Sequence, residues 1–428
     1  MDILNETTDH VKKAFNDETG NKFLIIAAVI IFFIIFGVLS WIFNVLSLKD
    51  RACENLDKIY TANNKYATTS FSHANGIIKS NGKKTSTEQL NYFDDELACL
   101  VKNYYVKTAY NCCCGDGYKN NWVAMCSMDH CIKQGARCLD FEIYSYNGEP
   151  IVAASTANNN SIKETYNFLP LTEVLAELNA NAHNETFHNC PYDPMFLHFR
   201  IMSENKVIYD KMGDYIESHL KGNSDNLLDN VKYNYRNPNL DNLLMYHIGK
   251  SGENELHKKF VIMVNTKHPT TLDNSKLANF VNIRSGTKDL KLYRYEEVVA
   301  KGEKNPLLID DSQRSLIMVL PDLDSRKENF DPIIAFGNGC QFIGMKFQTV
   351  DNNLLGYFKQ FKDTGGFSYV LKPNNLRKDI IEAEPEATDL PINPNRGYDM
   401  KVSFDGPGLL NFQGGKDGKL IRGEFLKK

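Results

Sequence analysis

A long uninterrupted apolar segment near the N-terminus constrains this chain more than any other feature. Residues 23–48 carry no charged side chain, and the stretch FLIIAAVIIFFIIFGVLSWIFNVL can cross about 30 Å of hydrocarbon as a helix. A cleaved signal peptide would have a shorter apolar core and a small-residue cleavage site, whereas this segment ends in bulky Trp41, Ile42 and Phe43. We therefore predict a single-pass membrane helix that stays attached to the chain.

The flanks of this segment leave its orientation in the membrane open. Lysines precede it, and Lys49 and Arg51 follow it, so the positive-inside rule finds the two sides nearly balanced. Glycosylation sequons at Asn159 and Asn184 would be usable only if the larger part of the chain lay on the lumenal or outer side.

Composition shows that the remainder of the chain folds in water. Apolar residues make up 42% of the sequence and charged residues 24%, which is ordinary for a soluble globular protein. The formal net charge of -4 comes from interspersed positive and negative residues, so the chain has no basic field that would attract nucleic acid. We expect no nucleic-acid partner.

All ten cysteines follow the apolar segment, and their spacing indicates no clear framework. Cys112, Cys113 and Cys114 are consecutive, and three adjacent side chains cannot all face one tetrahedral zinc ion. Further zinc ligands would have to come from Cys126, His130 or Cys131. Disulfides would require an oxidising compartment. We favour buried or free thiols over disulfides and over a zinc site, while the oxidation state of the three consecutive cysteines stays open.

Strand-length apolar runs alternate with helical stretches after residue 96, which predicts an α/β fold. The predicted strands are residues 138–144, 195–201, 259–264, 315–320, 341–347 and 367–371, and the predicted helices include 171–179 and 354–362.

The remaining segments are predicted to be connections. Residues 1–22 form a polar tail, and residues 49–96 form a stem of helix and loop between the membrane helix and the fold. Residues 210–256, rich in Asn, Asp and Lys, form an insertion, and residues 379–428 form a linker and a Gly-rich tail. The sequence contains no internal repeat, P-loop, GxSxG elbow or HExxH motif.

Two segments carry a family resemblance. GARCLDFEIYSYNGEPIV resembles the first half of the catalytic barrel of phosphoinositide-specific phospholipase C, and GNGCQFIGMKFQTVDNNLLGYFKQFKDTGGFSYVLKPNNLR resembles the second half. PMFLHFR and KKFVIMV resemble its core strands. The resemblance implies a distorted TIM-like (β/α) barrel of the phospholipase C-like phosphodiesterase type, with its first half in residues 97–270 and its second half in residues 271–378.

The same resemblance implies that catalytic groups are missing. Members of the family use one histidine to activate the inositol 2-hydroxyl and another to protonate the leaving diacylglycerol, with calcium stabilising the charge. Tyr110 stands at the first histidine position if AYN is the counterpart of the family motif, and Ala154 stands at the second. A phenol with a pKa of about 10 is a poor base, and an alanine cannot donate a proton.

The positions of the family's calcium ligands fall on Asn111, Asp140, Glu142 and Arg200. Asp140 and Glu142 share one strand face by their i, i+2 spacing, whereas Arg200 places a cation where a ligand should stand. We hypothesise that Arg200 reaches across the barrel mouth to both carboxylates and supplies the positive charge that calcium would otherwise give. No cofactor is therefore expected. Calcium, held by Asn111, Asp140 and Glu142, would be expected only of an active enzyme.

Substitutions at the headgroup-binding positions of the family also weaken the expected recognition of the lipid headgroup. The strand SLIMVLP places Met318 and Leu320 where the family offers an Arg and a Tyr to the headgroup. Neither side chain can pair with a phosphate.

These departures favour a membrane-anchored, catalytically inactive phospholipase C-like protein that acts as a structural or interaction module for a protein partner at a membrane or capsid. One alternative is a protein that binds inositol lipids without cleaving them. Another is a phosphoinositide phospholipase C with rearranged catalytic residues, which would use His198 or a shifted histidine such as His130 or His188.

The composition also bears on origin. Richness in Asn, Lys and Ile is compatible with a large DNA virus with an AT-rich genome, where degenerate barrels of this kind occur. A location in a virion membrane or next to a capsid is an expectation from that resemblance.

Overall fold

The structure is a computed structural model, and it describes residues 18–70, 100–157, 162–221, 226–240, 243, 256–324, 326–377, 401–402, 412–414 and 420–421. It divides into two compact units, Met1–Lys378 and Asp379–Lys428. Several predicted features lie outside the described residues: most of the polar tail, the stem after residue 70, the sequon at Asn159, parts of the insertion, and the linker after residue 378.

The apolar segment lies within one helix, α1, which runs from Glu18 to Ala62. Its Leu, Ile and Phe side chains between Phe23 and Phe43 are exposed, so the protein itself provides no cover for them. Of the helices described, α1 is the one that is long and apolar enough to cross a membrane, with a mean hydropathy of 3.1 in its most apolar window. The helix continues past the apolar segment into the polar sequence that follows.

Eleven strands belong to one sheet, and eight of them close into a barrel. The strands are β1 Tyr104–Ala109, β2 Cys138–Tyr146, β3 Glu149–Ala153, β4 Leu169–Pro170, β5 Met195–Ile201, β6 Phe260–Thr266, β7 Ile283–Arg284, β8 Leu290–Arg294, β9 Leu316–Leu320, β10 Phe342–Met345 and β11 Tyr369–Leu371.

The barrel strands run in the order β1-β2-β5-β6-β7-β8-β9-β10, and β10 pairs with β1 again. Every pairing among them is parallel. A parallel bridge between Ser285 and Leu290 connects β7 to β8 and nearly completes the ring. Strands such as LIMVL in β9 are buried throughout, as expected when a sheet is covered on both faces. The predicted α/β barrel is confirmed.

Helices cover the outside of the barrel. They are α2 Met125–Lys133, α3 Leu171–Asn181, α4 Lys206–Ile216, α5 Pro269–Asp273, α6 Tyr295–Lys301, α7 Pro306–Arg314, α8 Ile333–Gly337 and α9 Asn352–Asp363. Short 3₁₀ turns occur at Asn64–Tyr66, Val101–Asn103, Lys276–Asn279 and Asn374–Leu376, and a π-helical turn at Glu217–Lys221. Asn205, Asn305 and Asp351 cap α4, α7 and α9 through side-chain oxygens that accept backbone N–H groups.

Three of the eleven strands lie outside the ring. β3 and β4 form an antiparallel extension of β2, and β11 pairs antiparallel with β1. The segment predicted as a strand at residues 367–371 therefore lies beside the barrel instead of within its ring. In the second unit, β12 Lys401–Val402, β13 Phe412–Gly414 and β14 Leu420–Ile421 form an antiparallel sheet.

The expectation that the cysteines are thiols is wrong for one pair. Cys53 in α1 and Cys126 in α2 form a disulfide across 73 residues of sequence. The spacing carried no signal for this pair because α1 and α2 meet only through the folded barrel. Cys112, Cys113 and Cys114 are free and buried. Within the described part of the chain, no three His, Cys, Asp or Glu side chains are placed to hold a metal ion.

Candidate functional site

A cluster of buried polar side chains lies at the carboxyl end of the barrel. Asp140 and Glu142 are on β2, His198 and Arg200 are on β5, and Asn111 follows the end of β1. In the parallel register Asp140 lies opposite His198 and Glu142 lies opposite Arg200. Because alternate residues of a strand point to the same face, all four strand side chains share the interior of the barrel mouth.

Arg200 occupies the centre of this cluster. Its Nε lies 2.9 Å from Asp140 Oδ1, and its Nη2 lies 2.7 Å from Asp140 Oδ2, so that carboxylate is bound at both oxygens. Nη1 donates to Glu142 Oε1 at 2.7 Å, and Nη2 also donates to Asn111 Oδ1 at 2.8 Å. The predicted contact of Arg200 with both carboxylates is confirmed.

The remaining acceptors of the cluster are also satisfied. Glu142 Oε2 accepts hydrogen bonds from the Tyr144 hydroxyl and the Ser155 backbone N–H, both at 2.9 Å. Asn111 donates through Nδ2 to Glu142 Oε1 at 3.1 Å and through its backbone N–H to Asp140 Oδ2 at 3.2 Å. Asn111 adopts a φ of 44°, a left-handed conformation that asparagine tolerates better than most residues.

His198 links the cluster to a serine at the end of β7, two strands further along the barrel. Its Nδ1 lies 2.7 Å from Asp140 Oδ1, and its Nε2 lies 2.8 Å from Ser285 Oγ. Ser285 directly follows β7 and is only 4% exposed. The series of contacts has the order of a nucleophile, a base and an orienting carboxylate. His198 and Asp140 are fully buried.

The charges of the cluster depend on one another. Burial alone would raise the pKa of the Asp140 carboxyl, but the Arg200 charge and the His198 hydrogen bond overcome burial and hold that pKa well below its usual range. Burial would likewise lower the pKa of Arg200, yet the charges of Asp140, Tyr110 and Glu142 raise it. Burial lowers the pKa of His198, which favours a neutral imidazole.

Tyr110 and Ala154, which the sequence analysis aligned with the family histidines, are both buried. The ring of Tyr110 is buried against the guanidinium, with its centroid 4.8 Å from Arg200 Cζ. Burial raises the pKa of the Tyr110 phenol further above its ordinary value. Ala154 is fully buried after β3, and its carbonyl accepts the Glu164 backbone N–H at 2.9 Å.

Two other histidines that the sequence offered as substitutes have partners elsewhere. His130 Nε2 lies 2.9 Å from Asp57 Oδ1 of α1. His188 contacts the Ala182 carbonyl and accepts the Cys190 backbone N–H, ahead of the start of β5. The structure therefore brings neither of them to the carboxylates.

The strand expected to face a lipid headgroup is part of the core. Met318 and Leu320 are both fully buried in β9. Sequence reasoning missed Ser285, Tyr144 and Ser155, which complete the polar cluster. Tyr144 continues the alternation of Asp140 and Glu142 along β2 and could have been found from that spacing. Ser285 carries no local signal.

The fold places this domain in the class of α/β barrels of parallel strands, with a polar cluster at the carboxyl end of the barrel. It resembles the structure of PLC21 from L. pealei, with a TM-score of 0.50 and 18% identity over 67% of this chain and 39% of that one. It also resembles PLC21 from S. officinalis, with a TM-score of 0.51 and 14% identity over 85% of this chain and 52% of that one.

Sequence comparisons find matches to part of the chain. Residues 258–375 match the family described as phosphatidylinositol-specific phospholipase C, Y domain. The 1-phosphatidylinositol 4,5-bisphosphate phosphodiesterase delta-4 of Macaca fascicularis is 27% identical over 152 residues, which are 33% of this chain and 19% of that protein. Phosphoinositide phospholipase C 7 of Arabidopsis thaliana is 33% identical over 82 residues, 19% of this chain and 14% of that protein.

The matched region is thus less than one fifth of the length of either relative. Together, the fold and these matches support a catalytic barrel of the phosphoinositide-specific phospholipase C type.

Proposed function

We propose that this chain is a single-pass membrane protein whose phospholipase C-type barrel is catalytically inactive and serves as an interaction module for a protein partner. The observation that carries the proposal is the position of Arg200. Its guanidinium binds Asp140 at both oxygens and Glu142 at one, and the cluster that it completes is sealed from solvent.

The residues present do not fit calcium. Calcium takes six to eight oxygen ligands, and the oxygens of Asp140, Glu142 and Asn111 already accept hydrogen bonds within the cluster. A divalent ion placed among them would also lie next to the fixed positive charge of Arg200, and like charges at such short range repel strongly inside a protein. We therefore derive no catalytic step through a metal.

The histidine positions support the same proposal. An acid and a base each contribute about 10²–10⁴-fold to rate in enzymes that use them. Tyr110 has a phenol whose pKa burial raises, and Ala154 has no titratable group. Together the two positions lack both the acid and the base of the family mechanism.

The direct test is hydrolysis by the full chain in lipid vesicles. Phosphatidylinositol and its phosphorylated forms are offered with calcium and with a chelator, beside an active family member as the positive control. We expect no turnover in either condition. Turnover that exceeds the vesicle blank in either condition would overturn the proposal.

Calcium binding gives an independent test. Thermal unfolding of the wild type is expected to be insensitive to calcium. Arg200→Glu replaces the cation by a potential ligand, and in this variant added calcium should raise the melting temperature. Arg314→Glu, which changes an exposed arginine on α7, is the matched control and should show no calcium effect. A calcium-dependent shift in the wild type would contradict our account of the cluster.

A second candidate function is favoured by the contacts of His198. The series Ser285, His198, Asp140 could activate a serine hydroxyl if the mouth opened. Against it, all three side chains are buried, and Asp140 is shared with Arg200. A fluorophosphonate probe distinguishes the two proposals, because labelling that is lost in Ser285→Ala would establish a reactive serine. We expect no labelling.

Binding of inositol lipids without hydrolysis, and a location in a virion, stay predictions. Vesicles with and without phosphatidylinositol test the first of them. Equal binding to both would exclude recognition of the inositol headgroup.

A further inference from the structure

The C-terminal part of α1, from Val45 onward, lies against the barrel instead of leading away from it. Trp122 Nε1 donates to the backbone carbonyl of Val45 at 2.9 Å. About two helical turns after Val45, Ala52 faces the same loop. A Cβ placed on Gly115 would lie 3.0 Å from Ala52 Cβ, so the helix and this loop are in close contact. Leu56 is 3% exposed because it is packed in the same core as the barrel.

Specific contacts fix the helix in this position. The Cys53–Cys126 disulfide joins it to α2, and Asp57 pairs with His130 at 2.9 Å. The Tyr60 ring stacks on His130 with centroids 5.3 Å apart, and its hydroxyl donates to the Phe347 carbonyl. A covalent bond, a hydrogen-bonding contact and packing therefore act together over residues 53–60.

The order of these contacts gives the direction of the helix along the barrel. The loop that holds Gly115 and Trp122 follows β1, so it lies at the carboxyl end of the barrel, next to Asn111 of the polar cluster. At the other end of the segment, Thr68 contacts Ser368 and Cys190, and Cys190 precedes β5. The chain thus runs from the barrel mouth at Val45 towards the opposite end at Thr68.

The apolar part of α1 consequently projects beyond the mouth. A helix rises about 1.5 Å per residue, so residues 23–43 match the roughly 30 Å hydrocarbon core of a bilayer. Val45 then falls at the edge of the bilayer, and its hydrogen-bond partner Trp122 falls at the same depth. The barrel mouth must face the membrane that α1 crosses.

The surface around Trp122 has the composition of a membrane interface. The rings of Trp122 and Tyr166 lie 6.3 Å apart, and Tyr166 is 39% exposed. Ile162 nearby in sequence is 71% exposed, and the Lys119 side chain is 55% exposed. Tryptophan and tyrosine concentrate at the headgroup level of membranes, where an apolar ring and a polar edge are both accommodated.

We propose that α1 holds the mouth of the barrel against the phospholipid headgroups of the same bilayer that it spans, with Trp122 and Tyr166 in the interfacial zone. The proposal rests on the membrane span proposed above. Its consequence is that the mouth contacts headgroups in cis, and a soluble protein partner must bind to another face of the barrel.

The chain has two tryptophans, Trp41 and Trp122, which makes the test direct. The full chain is reconstituted in phosphatidylcholine vesicles that carry a nitroxide on the headgroup or on the acyl chain. In Trp41→Phe the fluorescence reports Trp122 alone, and in Trp122→Phe it reports Trp41 alone. Far-ultraviolet circular dichroism verifies that both variants are folded.

We expect quenching of Trp122 by the headgroup nitroxide to exceed quenching by the acyl-chain nitroxide, together with protection of Trp122 from aqueous iodide. Trp41 should be quenched by lipid-borne nitroxide as well. If Trp41 is quenched while Trp122 is accessible to iodide and insensitive to both lipids, the orientation is wrong and the membrane span stands. If neither tryptophan is quenched, the membrane span itself fails.

Discussion

Arg200 is the residue on which the polar cluster depends. Burying two carboxylates without a cation is strongly unfavourable because they lose their hydration. Burying a guanidinium without carboxylates is unfavourable for the same reason. In this barrel each cost is offset because the guanidinium donates four hydrogen bonds, to Asp140 twice, to Glu142 and to Asn111. Such a network is stable only when it is complete, since the low dielectric that strengthens each bond also penalises each missing one.

Replacing Arg200 by methionine should destabilise the protein by about 3–5 kcal/mol, because the variant leaves two buried carboxylates without their cation. Arg314→Met is the matched control. Its ion pair with Asp310 lies on the surface, with the Arg314 side chain 73% exposed, so its loss should cost no more than about 1 kcal/mol. Urea unfolding in detergent measures both. Equal stability of the two variants would show that the cluster is not a structural core element.

Two histidines with a lowered pKa, His183 and His188, predict a second property of the protein, which is sensitivity to acid. Burial lowers the pKa of His183 to about 3 and that of His188 to about 2. Each therefore stays neutral in the folded protein at a pH where the unfolded chain, with a histidine pKa of about 6.5, takes up a proton. The stability that they support is complete above the unfolded pKa and is lost as pH falls from about 6.5 towards the folded values.

Melting temperatures measured at pH 7 and pH 5 should therefore fall on acidification, and the fall should be smaller in His183→Gln/His188→Gln. His219→Gln is the control, because His219 belongs to a different segment, the π-helical turn Glu217–Lys221. A double variant with the full acid sensitivity of the wild type would assign the effect to other groups.

Individual site residues differ in how far the sequence could predict them. Asp140, Glu142 and Arg200 were predictable because strand alternation places them on one face and a family pattern names their positions. Ser285 was not, since it lies 87 residues from His198 and meets it only when the barrel closes. The pairing of Cys53 with Cys126 could not be predicted either, because no spacing rule relates a cysteine in the stem helix to one in a barrel helix.

At the scale of elements, the disulfide between α1 and α2 links the stem helix covalently to the barrel. It closes a loop of 73 residues, and a bond of that span typically stabilises by about 2–4 kcal/mol, chiefly by restricting the unfolded chain. Cys53→Ser/Cys126→Ser should lower stability by that amount. The wild type under reductant should behave like the variant, and reductant should not affect the variant.

Alkylation followed by mass spectrometry verifies the premise of that prediction. Denatured protein should show two fewer alkylated cysteines before reduction than after it, since Cys53 and Cys126 are bonded and the other described cysteines are free. An unchanged number would show that the bond is absent from the isolated protein.

Most strands and helices could be predicted from local hydrophobic patterns in the sequence. The features that could not be predicted share one cause. The strand predicted at residues 195–201 is β5, and the helix predicted at residues 171–179 is α3 with a slightly later end. β11 was predicted as a strand, yet its antiparallel pairing with β1 outside the ring was not. Apolar runs indicate that a segment is buried in a sheet, but strand order and direction depend on contacts distant in sequence.

For the whole molecule, the described part of the stem that follows the apolar segment of α1 packs into the barrel's own core. Leu56 and Tyr60 are almost fully buried, and Thr68 is completely buried, with its hydroxyl 2.7 Å from Ser368 Oγ. The backbone of Thr69 also pairs with Gly366 at 2.8 Å. A domain boundary drawn from composition falls at the end of the stem, whereas packing includes the described part of the stem in the folded unit.

Two truncated fragments test whether the described part of the stem belongs to the folded unit. A fragment of residues 50–428 keeps Leu56, Tyr60, Thr68 and the disulfide, and should unfold cooperatively in water without detergent. A fragment of residues 71–428 loses these contacts. Each large apolar side chain removed from a core costs about 1.5–3 kcal/mol, so the shorter fragment should be less stable by several kcal/mol and should aggregate.

Reducing the Cys53–Cys126 disulfide distinguishes the stability contributed by packing of the stem helix from that contributed by the covalent bond. Treated with reductant, residues 50–428 keep the packed helix and lose only the disulfide, so their melting temperature should fall between those of the oxidised longer fragment and the shorter one. Equal melting temperatures of the reduced longer fragment and the shorter one would mean that the helix is held by the disulfide alone. In that case the barrel mouth would be only tethered near the bilayer, because a single covalent link does not fix an orientation.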